Sequence, residues 1–314
     1  MRPIVSGGWS GGALAAVAMT DGRRLMAKRV VPARGWIGSH TGDLGREGLL
    51  VTEGWIERMP PTLDHTLVDA EREDGAWWIL MRDVSDLLWP AQGRVTREES
   101  SRVLAAADRM WKAFWGVRVP PAATLARRLD VLSPQVAERE REGLDLLPNQ
   151  LDAAWEAFAE AAPRDVADPV LTVLADSEPL AAWLVARGST LLHGDLRDEH
   201  LGADGDRVVL IDWGLATEGH PVVDLSWYLM HCAWRIDATR DEIVEDFRRA
   251  RGEADDPGAL DVGLLTGLIQ YGWIIGHSAV VHPDPAERAW AHEELEWWVP
   301  RARRALTAWS PSVR

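Results

Sequence analysis

The sequence predicts an α+β chain in two lobes: a small β-rich lobe over residues 1–84 and a larger, mostly helical lobe over residues 85–314. Three observations lead there. The first 84 residues run strand, glycine loop, strand, turn, strand, and then a further apolar strand at Ala76–Met81. From Thr96 to about residue 188 the apolar residues fall at helical spacing. Beyond that, two short β-runs frame the stretch Leu191–Gly214, and helical runs follow to the end.

Composition narrows the function classes. Hydrophobic content of 46% with 26% charged residues is that of an ordinary globular chain. A net charge of −15 opposes nucleic-acid and anionic-membrane partners, which need basic patches, and suits a small cationic substrate. Cys232 stands alone, so there is no disulfide framework and no cysteine-based zinc site, and a reducing compartment is permitted. Arg2, the apolar Ala13–Met19 and the Ala-x-Ala at Ala16–Ala18 imitate a signal peptide, but the apolar run is short and follows a Gly/Ser stretch. No run of about 18 apolar residues stands out as a membrane span. The expectation is a cytoplasmic protein with no nucleic-acid and no membrane partner.

The elements follow in order. Ile4-Val5 opens a strand, Ser6–Gly12 is a glycine-rich loop, and Ala13–Met19 is the next strand. Without a Cβ, backbone can approach a phosphate closely, which makes Gly7, Gly8, Ser10 and Gly11 candidate nucleotide contacts; a plain glycine hairpin reads the same. Thr20-Asp21-Gly22 turns the chain into Arg24–Val31, which carries Lys28. Gly42–Leu50 places Glu47 at the start of a short amphipathic helix. Ala76–Met81 runs into Arg82-Asp83-Val84, and Pro90 and Gly93 break the pattern at a lobe boundary near residues 83–93. Thr96-Arg97-Glu98-Glu99 is a capping box opening a helix with Val103, Leu104, Ala107, Met110, Trp111 and Phe114 on one face, closed by Gly116. The helical pattern beyond breaks at Pro134, Pro148, Pro163 and Pro169, and later at Pro283-Asp284-Pro285 and Pro300. Glu138–Glu142 reads as a solvated face.

Leu191–Gly214 reads LLHGDLRDEHLGADGDRVVLIDWG: strand, His-Gly-Asp, polar loop, Asp-Gly turn, strand, Ile-Asp-Trp-Gly. Asp195 and Asp212 each sit just past a β-run, where a carboxylate points into a cleft from a fixed base. Two carboxylates so placed suit phosphoryl transfer, one positioning a hydroxyl nucleophile and the other holding Mg²⁺ against the phosphates. The stretch resembles the catalytic and metal loops of aminoglycoside phosphotransferases and choline kinases, small-molecule relatives of the protein kinases. Their signature is His-Gly-Asp, an Asn five positions after the Asp, then Ile-Asp-Trp or Ile-Asp-Phe. The chain has all of it except the Asn, which is His200. The Gly-x-Pro-x-x-Asp-Leu at Gly219–Leu225 is typical of the same family, and strand–glycine loop–strand–lysine is the order of its small lobe.

The resemblance implies a two-lobe protein-kinase-like fold, with a small antiparallel sheet plus one helix and a larger, mostly helical lobe. It implies ATP or GTP as phosphoryl donor, Mg²⁺, and transfer to a hydroxyl of a small molecule: an aminoglycoside or other antibiotic, an amino alcohol or a sugar, with antibiotic resistance as an association. Asp195 would be the catalytic carboxylate and His193 a brace for its loop. Asp212 would ligate Mg²⁺. Lys28 would contact the α- and β-phosphates, held by Glu47 from a helix that the family commonly opens with Arg-Glu; Glu53 is the fallback. Backbone near Leu80, Met81 and Asp83 would grip the adenine. Asp224 would open a helix and tether the catalytic loop, although a bare N-cap aspartate looks alike. The acceptor would lie from about residue 226 onward, where Trp227, Tyr228, Trp234, Tyr271 and Trp273 could line a pocket and Asp237, Asp241, Glu293, Glu294 and Glu296 could bind amines. Core packing and wet surface are the competing explanations of those residues.

His200 keeps alternatives open, since Mg²⁺ prefers oxygen to imidazole nitrogen. The site could run on one well-held metal, admit the imidazole as a ligand, or bind nucleotide without turnover as a pseudokinase acting through partners. A zinc centre of His193, Asp195, His200 and Asp212 is a further reading, one that leaves the glycine loop and Lys28 without purpose. A protein substrate is disfavoured, because no Ala-Pro-Glu-like anchor follows Asp212-Trp213-Gly214.

Overall fold

The computed structural model describes residues 2–4, 13–140 and 148–309; the loop holding Gly7, Gly8, Ser10 and Gly11 lies outside the described residues. The N-terminal part comprises β1 (Arg2–Ile4), β2 (Ala13–Ala18), β3 (Arg24–Val30), α1 (Gly35–Thr41), α2 (Arg46–Thr52), β4 (Leu63–Asp64), β5 (Leu67–Glu73) and β6 (Ala76–Arg82). Five of the strands form an antiparallel sheet in the order β1-β2-β3-β6-β5. Asp21-Gly22 makes the β2–β3 turn, with Gly22 at φ 85°. β3 is the central strand, so Lys28 stands opposite Leu14 on one side and Ile79 on the other. The expected N-lobe helix is α2, and the short α1 precedes it.

Trp77 docks α2 on the sheet. Its indole Nε1 donates to Leu44 O at 2.9 Å, and its ring lies flat against the start of the helix. Gly45 caps α2 at φ 97°, and a Cβ there would fall 1.9 Å from Trp77 Cδ1; at Gly48 it would fall 2.3 Å from Trp77 Cε3. In a free helix Gly48→Ala would stabilise by about 1 kcal/mol. Here overpacking costs about 1–3 kcal/mol, so the substitution is expected to lower Tm, as read by calorimetry; a rise would show that Trp77 yields freely.

The remainder comprises α3 (Arg97–Ala113), β7 (Ala123–Thr124), α4 (Leu125–Leu129), α5 (Pro134–Glu140), α6 (Pro148–Ala161), α7 (Arg164–Ala175), α8 (Glu178–Val185), β8 (Thr190–Leu192), β9 (Leu201–Asp204), β10 (Arg207–Leu210), β11 (Thr217–Gly219), α9 (Val222–Cys232), α10 (Arg240–Arg251), α11 (Pro257–Val280) and α12 (Pro285–Ala308). α3 carries the expected capping box, and its six named apolar residues are all buried. Pro134 and Pro148 open helices and Pro163 caps one, as breaks should. Pro169 and Pro300, however, lie inside α7 and α12. In α7, Val166, Val170, Val173 and Leu174 are buried around the proline, and that packing offsets the lost backbone hydrogen bond.

α11 is the axle of the large lobe, packed by α6, α9 and α12. Gly263 lets Val222 approach, Gly267 admits Trp298, and Gly272 and Gly276 admit Phe158. By length and composition this 24-residue helix is apolar enough to cross a membrane, which the sequence reading missed because glycines dilute the run; 78% of its most apolar window is buried inside the protein. Two small sheets frame the centre. β10 lies between β4 (parallel) and β9 (antiparallel), and β11 lies between β7 (parallel) and β8 (antiparallel).

Candidate active site

β8 delivers His193-Gly194-Asp195, and β10 delivers Ile211-Asp212 from the neighbouring sheet. Gly194 has φ 78°, and a Cβ there would meet Leu215 O at 1.9 Å, so the middle position of His-Gly-Asp accepts glycine alone. His193 is fully buried. Its Nε2 lies 3.0 Å from Ile211 O, which requires Nε2–H, and Nδ1 then accepts from Asp195 N at 3.3 Å. Burial, followed by the neighbouring His200, lowers its pKa to about 4, so the ring is neutral. Both ring nitrogens are engaged by backbone, which leaves His193 no lone pair for a zinc ion. Asp224 accepts from His193 N and Gly194 N, both at 2.9 Å, and from Trp111 Nε1 at 3.3 Å. It is a buried tether, and burial pushes its pKa up to about 6 against the pull of those donors.

Lys28 Nζ lies 2.6 Å from Glu47 Oε2 and 2.9 Å from Asp212 Oδ1. Glu53 is exposed and takes Trp55 Nε1 at 2.9 Å, so Glu47 is the partner. Glu47 Oε1 also accepts from Trp213 N at 3.1 Å, which ties α2 to the Ile-Asp-Trp-Gly loop. Burial opposes the lysine charge, yet Asp212 and Glu47 together raise its pKa above the ordinary lysine value. Burial raises Glu47 despite Lys28. For Asp212 burial is outweighed by Lys28 and His200, and its pKa is depressed. Asp212 adopts φ 62°, ψ 73°, and its carboxylate stays 38% exposed.

Asp195 faces this cluster across His200. His200 Nδ1 lies 3.0 Å from Asp195 O, which requires Nδ1–H, and its Nε2 faces Asp212, with Oδ2 at 3.8 Å. Asp195 Oδ1 accepts from Trp227 Nε1 at 2.7 Å. Burial works against the Asp195 charge, but His200, Arg197 and Arg128 keep its pKa below the usual aspartate value, so it is ionised at neutral pH. Lys28, Glu47, Asp195, His200 and Asp212 line one cavity of about 630 Å³. Among the described residues no group of three metal-ligating side chains assembles. One rim carboxylate, Asp212, nevertheless fits Mg²⁺, which commonly takes one or two protein carboxylates and completes its shell with phosphate and water.

Other candidates lie elsewhere. Leu80, Met81 and Asp83 are not among the cavity's lining residues; Asp83 N donates to Arg24 O at 3.2 Å, and its carboxylate accepts from Ser85. Of the five aromatic candidates, Trp227 lines the cavity. Tyr228 is buried with its hydroxyl donating to Ser100 Oγ at 2.9 Å, Trp273 is buried, and Trp234 is exposed. Tyr271 packs on the rings of Trp227 and His231. Asp237 pairs with Arg94, Asp241 with Arg301 and Glu294 with Arg240, while Glu293 and Glu296 are exposed on α12; none of the five lines the cavity.

Two arginines were not assigned from sequence. Arg46 is buried and donates to Pro121 O at 3.0 Å, Thr41 O at 3.2 Å and Gly214 O, clamping α2 onto the large lobe. The Arg-Glu pair at the helix start was its signal. Arg128, on α4, donates from Nε to Gly194 O at 2.8 Å, with its guanidinium 4.4 Å from the Trp227 ring centroid. Leu125-Ala126-Arg127-Arg128-Leu129 gives no sign that the second arginine turns inward.

Comparison with known proteins bears on the fold and the family. Among solved structures the chain is similar to an aminoglycoside phosphotransferase from Streptomyces rimosus in complex with ADP and streptomycin, at 18% identity over 84% of this chain and 94% of that one, with a TM-score of 0.51. It is similar to a choline/ethanolamine kinase family protein from Mesorhizobium loti at 12% identity over 98% and 92%, with a TM-score of 0.53. It is similar also to an aminoglycoside phosphotransferase from Alicyclobacillus acidocaldarius at 17% identity over 99% and 91%, with a TM-score of 0.50. At such identities the likeness is one of fold, and the fold is protein-kinase-like. No curated protein matches the chain by sequence. Residues 64–261 match the phosphotransferase enzyme family, a span that includes β8 through α9 and more than half of the sequence, and the chain belongs to that family.

Proposed function

We propose that the protein transfers the γ-phosphoryl group of ATP or GTP to a hydroxyl of a small molecule, of the hydroxylated antibiotic, amino alcohol or sugar classes. The observation that carries this reading is one cavity lined by both a buried Lys28–Glu47–Asp212 cluster and an ionised Asp195. In the reading, residues 1–84 hold the nucleotide and residues 85–314 hold the acceptor. Gly7, Gly8, Ser10 and Gly11 contact the phosphates, backbone near Leu80, Met81 and Asp83 takes the adenine, and the setting is cytoplasmic with no nucleic-acid or membrane partner.

Asp195 orients the acceptor hydroxyl and takes its proton as the oxygen bonds to the γ-phosphorus and the bond to the nucleoside diphosphate breaks. Trp227 holds Asp195 Oδ1, leaving Oδ2 for the hydroxyl. Lys28, pinned between two carboxylates, presents its charge to the α- and β-phosphates without searching rotamers. Asp212 would hold Mg²⁺, which when bound would neutralise charge on the phosphates. His200 keeps Asp195 and Asp212 in register through its two nitrogens, with Nδ1 on the Asp195 side and Nε2 on the Asp212 side.

The test is a panel of aminoglycosides, peptide antibiotics, amino alcohols and sugars with ATP or GTP and Mg²⁺, read by mass spectrometry for an added phosphoryl group. Nucleotide binding without turnover of any member would favour the pseudokinase reading. His200→Asn restores the family's amide at this position and is expected to preserve or raise the Mg²⁺-supported rate. A large loss would give His200 a role of its own.

A further inference from the structure

Most of the charges around the cavity are paired among the described residues. Lys28 is neutralised by Glu47 and Asp212, Arg197 pairs with Glu199, and Asp43 accepts the N–H groups that open α2. Arg128 is different. It is 1% exposed, it lines the cavity, and among the described residues its Nη1 and Nη2 have no hydrogen-bond partner and it has no ion pair. Arg82, Arg197, Arg235 and Arg240 also carry an unmatched nitrogen, yet each is ion-paired to a carboxylate. Asp195 and Asp224 offset the Arg128 charge, but its two amino groups have given up water without gaining hydrogen-bond partners, which is costly. Arg34, exposed on the same cavity, is likewise without an ion pair among the described residues.

The position of Arg128 says which side of the reaction it serves. Its Nε holds Gly194 O, the residue before Asp195, and its face stacks on Trp227, which itself holds Asp195. Trp227 belongs to α9 and packs on His231 and Tyr271, all in the helical lobe. The nucleotide cluster of Lys28, Glu47 and Asp212 is built instead from β3, α2 and the turn after β10. Arg128 therefore stands with Asp195 on the helical side of the cavity, and Lys28 reaches the cavity from the sheet. Asp237, Asp241, Glu293, Glu294 and Glu296 do not line the cavity, and the carboxylates that do, Asp43, Glu47, Asp195, Glu199 and Asp212, are engaged with lysine, arginine, histidine, tryptophan or backbone N–H groups.

We infer that Arg128 forms, with Trp227 as its stacking floor, a carboxylate-binding subsite for the acceptor, so that the molecule phosphorylated is a hydroxy acid or a hydroxylated compound bearing a carboxylate near the reacting hydroxyl. The inference rests on the small-molecule kinase reading and narrows it. A planar two-amino fork matches the two oxygens of a carboxylate, and a bidentate contact there fixes the acceptor's orientation toward Asp195. The phosphoryl group in transfer has the same oxygen chemistry, and the experiment separates the two sources.

Titration calorimetry on the full chain loaded with ADP and Mg²⁺ is the direct measurement, using 3-hydroxypropionate and L-homoserine against their carboxamides. The expected result is at least tenfold tighter binding of each carboxylate than of its amide, a preference lost in Arg128→Met and partly recovered in Arg128→Lys. Equal binding of acid and amide by the wild type, or no binding of either acid, overturns the inference without need of a variant. If Arg128→Met weakens ATP–Mg²⁺ tenfold and leaves the acid-over-amide preference intact, the guanidinium serves the phosphoryl group and the inference is also overturned. Stabilisation of the wild type by ATP–Mg²⁺ in the same series keeps the kinase reading standing whatever the carboxylates do; its absence removes both.

Discussion

Asp195→Asn is expected to cut the rate of acceptor phosphorylation by about 10²–10⁴ while the protein stays folded and binds nucleotide. The asparagine oxygen can still accept from Trp227 Nε1, as Asp195 Oδ1 does at 2.7 Å, so the side chain keeps its place. What is lost is a proton acceptor. The ionised state that His200, Arg197 and Arg128 maintain against burial has no counterpart in an amide. Nucleotide affinity should change little, because Lys28, Glu47 and Asp212 belong to other elements. Steady-state rates at saturating nucleotide check this, with a thermal-shift control for nucleotide binding. An unchanged rate would assign the proton to another group.

Lys28→Met is the second large effect, and it falls on stability as well as activity. Removing one partner from a buried charge cluster typically costs about 3–5 kcal/mol, because the remaining charges stay buried without compensation. Here Glu47 at 3% exposure would face Asp212, whose 38% exposed carboxylate is partly screened by water, so the cost lies toward the lower end of that range. A fall in Tm of several degrees is expected. The pH dependence has a definite sign. In the wild type the depressed Asp212 contributes stability that is present above the unfolded carboxylate value and lost as pH falls through the folded value. In the variant the pair takes up a proton, its pKa lies above the unfolded value, and stability is lost as pH rises. The gap between the two proteins should therefore widen from about pH 4 to about pH 7, as followed by urea unfolding at each pH. A gap independent of pH would mean that the carboxylates find another cation.

Local chemistry was legible in the sequence wherever a short motif carries its own geometry. Thr96 and Glu99 announce the start of α3 because the capping box closes within four residues. His193-Gly194-Asp195 and Ile211-Asp212-Trp213-Gly214 could be placed on strand ends, and Lys28 could be matched to Glu47 through a helix whose first residues carry the Arg-Glu pair. The family resemblance implied that Asp224 tethers the His-Gly-Asp loop, and it accepts from His193 N and Gly194 N.

Long-range packing was not legible. Pro169 looks like a break and sits inside α7, because the helix is fixed by the side chains it buries rather than by one hydrogen bond. The acidic residues after position 226 read as an amine site, but arginines from distant elements neutralise Asp237, Asp241 and Glu294. Tryptophans at helical spacing are ambiguous in sequence, and the structure sends Trp227 to the cavity and Trp273 to the core. Arg128 was invisible for the same reason. Its neighbours Gly194 and Trp227 are 66 and 99 positions away, and nothing local marks it as buried.

In the proposed function Asp212, with Lys28 and Glu47, holds a metal-bound nucleotide. Thermal unfolding with ATP or GTP, with and without Mg²⁺, in the wild type and in Asp212→Asn tests it most directly. A ligand at about a hundred times its Kd stabilises by about 2.7 kcal/mol, a shift of a few degrees. The expected result is a Mg²⁺-dependent shift in the wild type that is lost in Asp212→Asn. A shift indifferent to both the metal and Asp212, or no shift with either nucleotide, would contradict it.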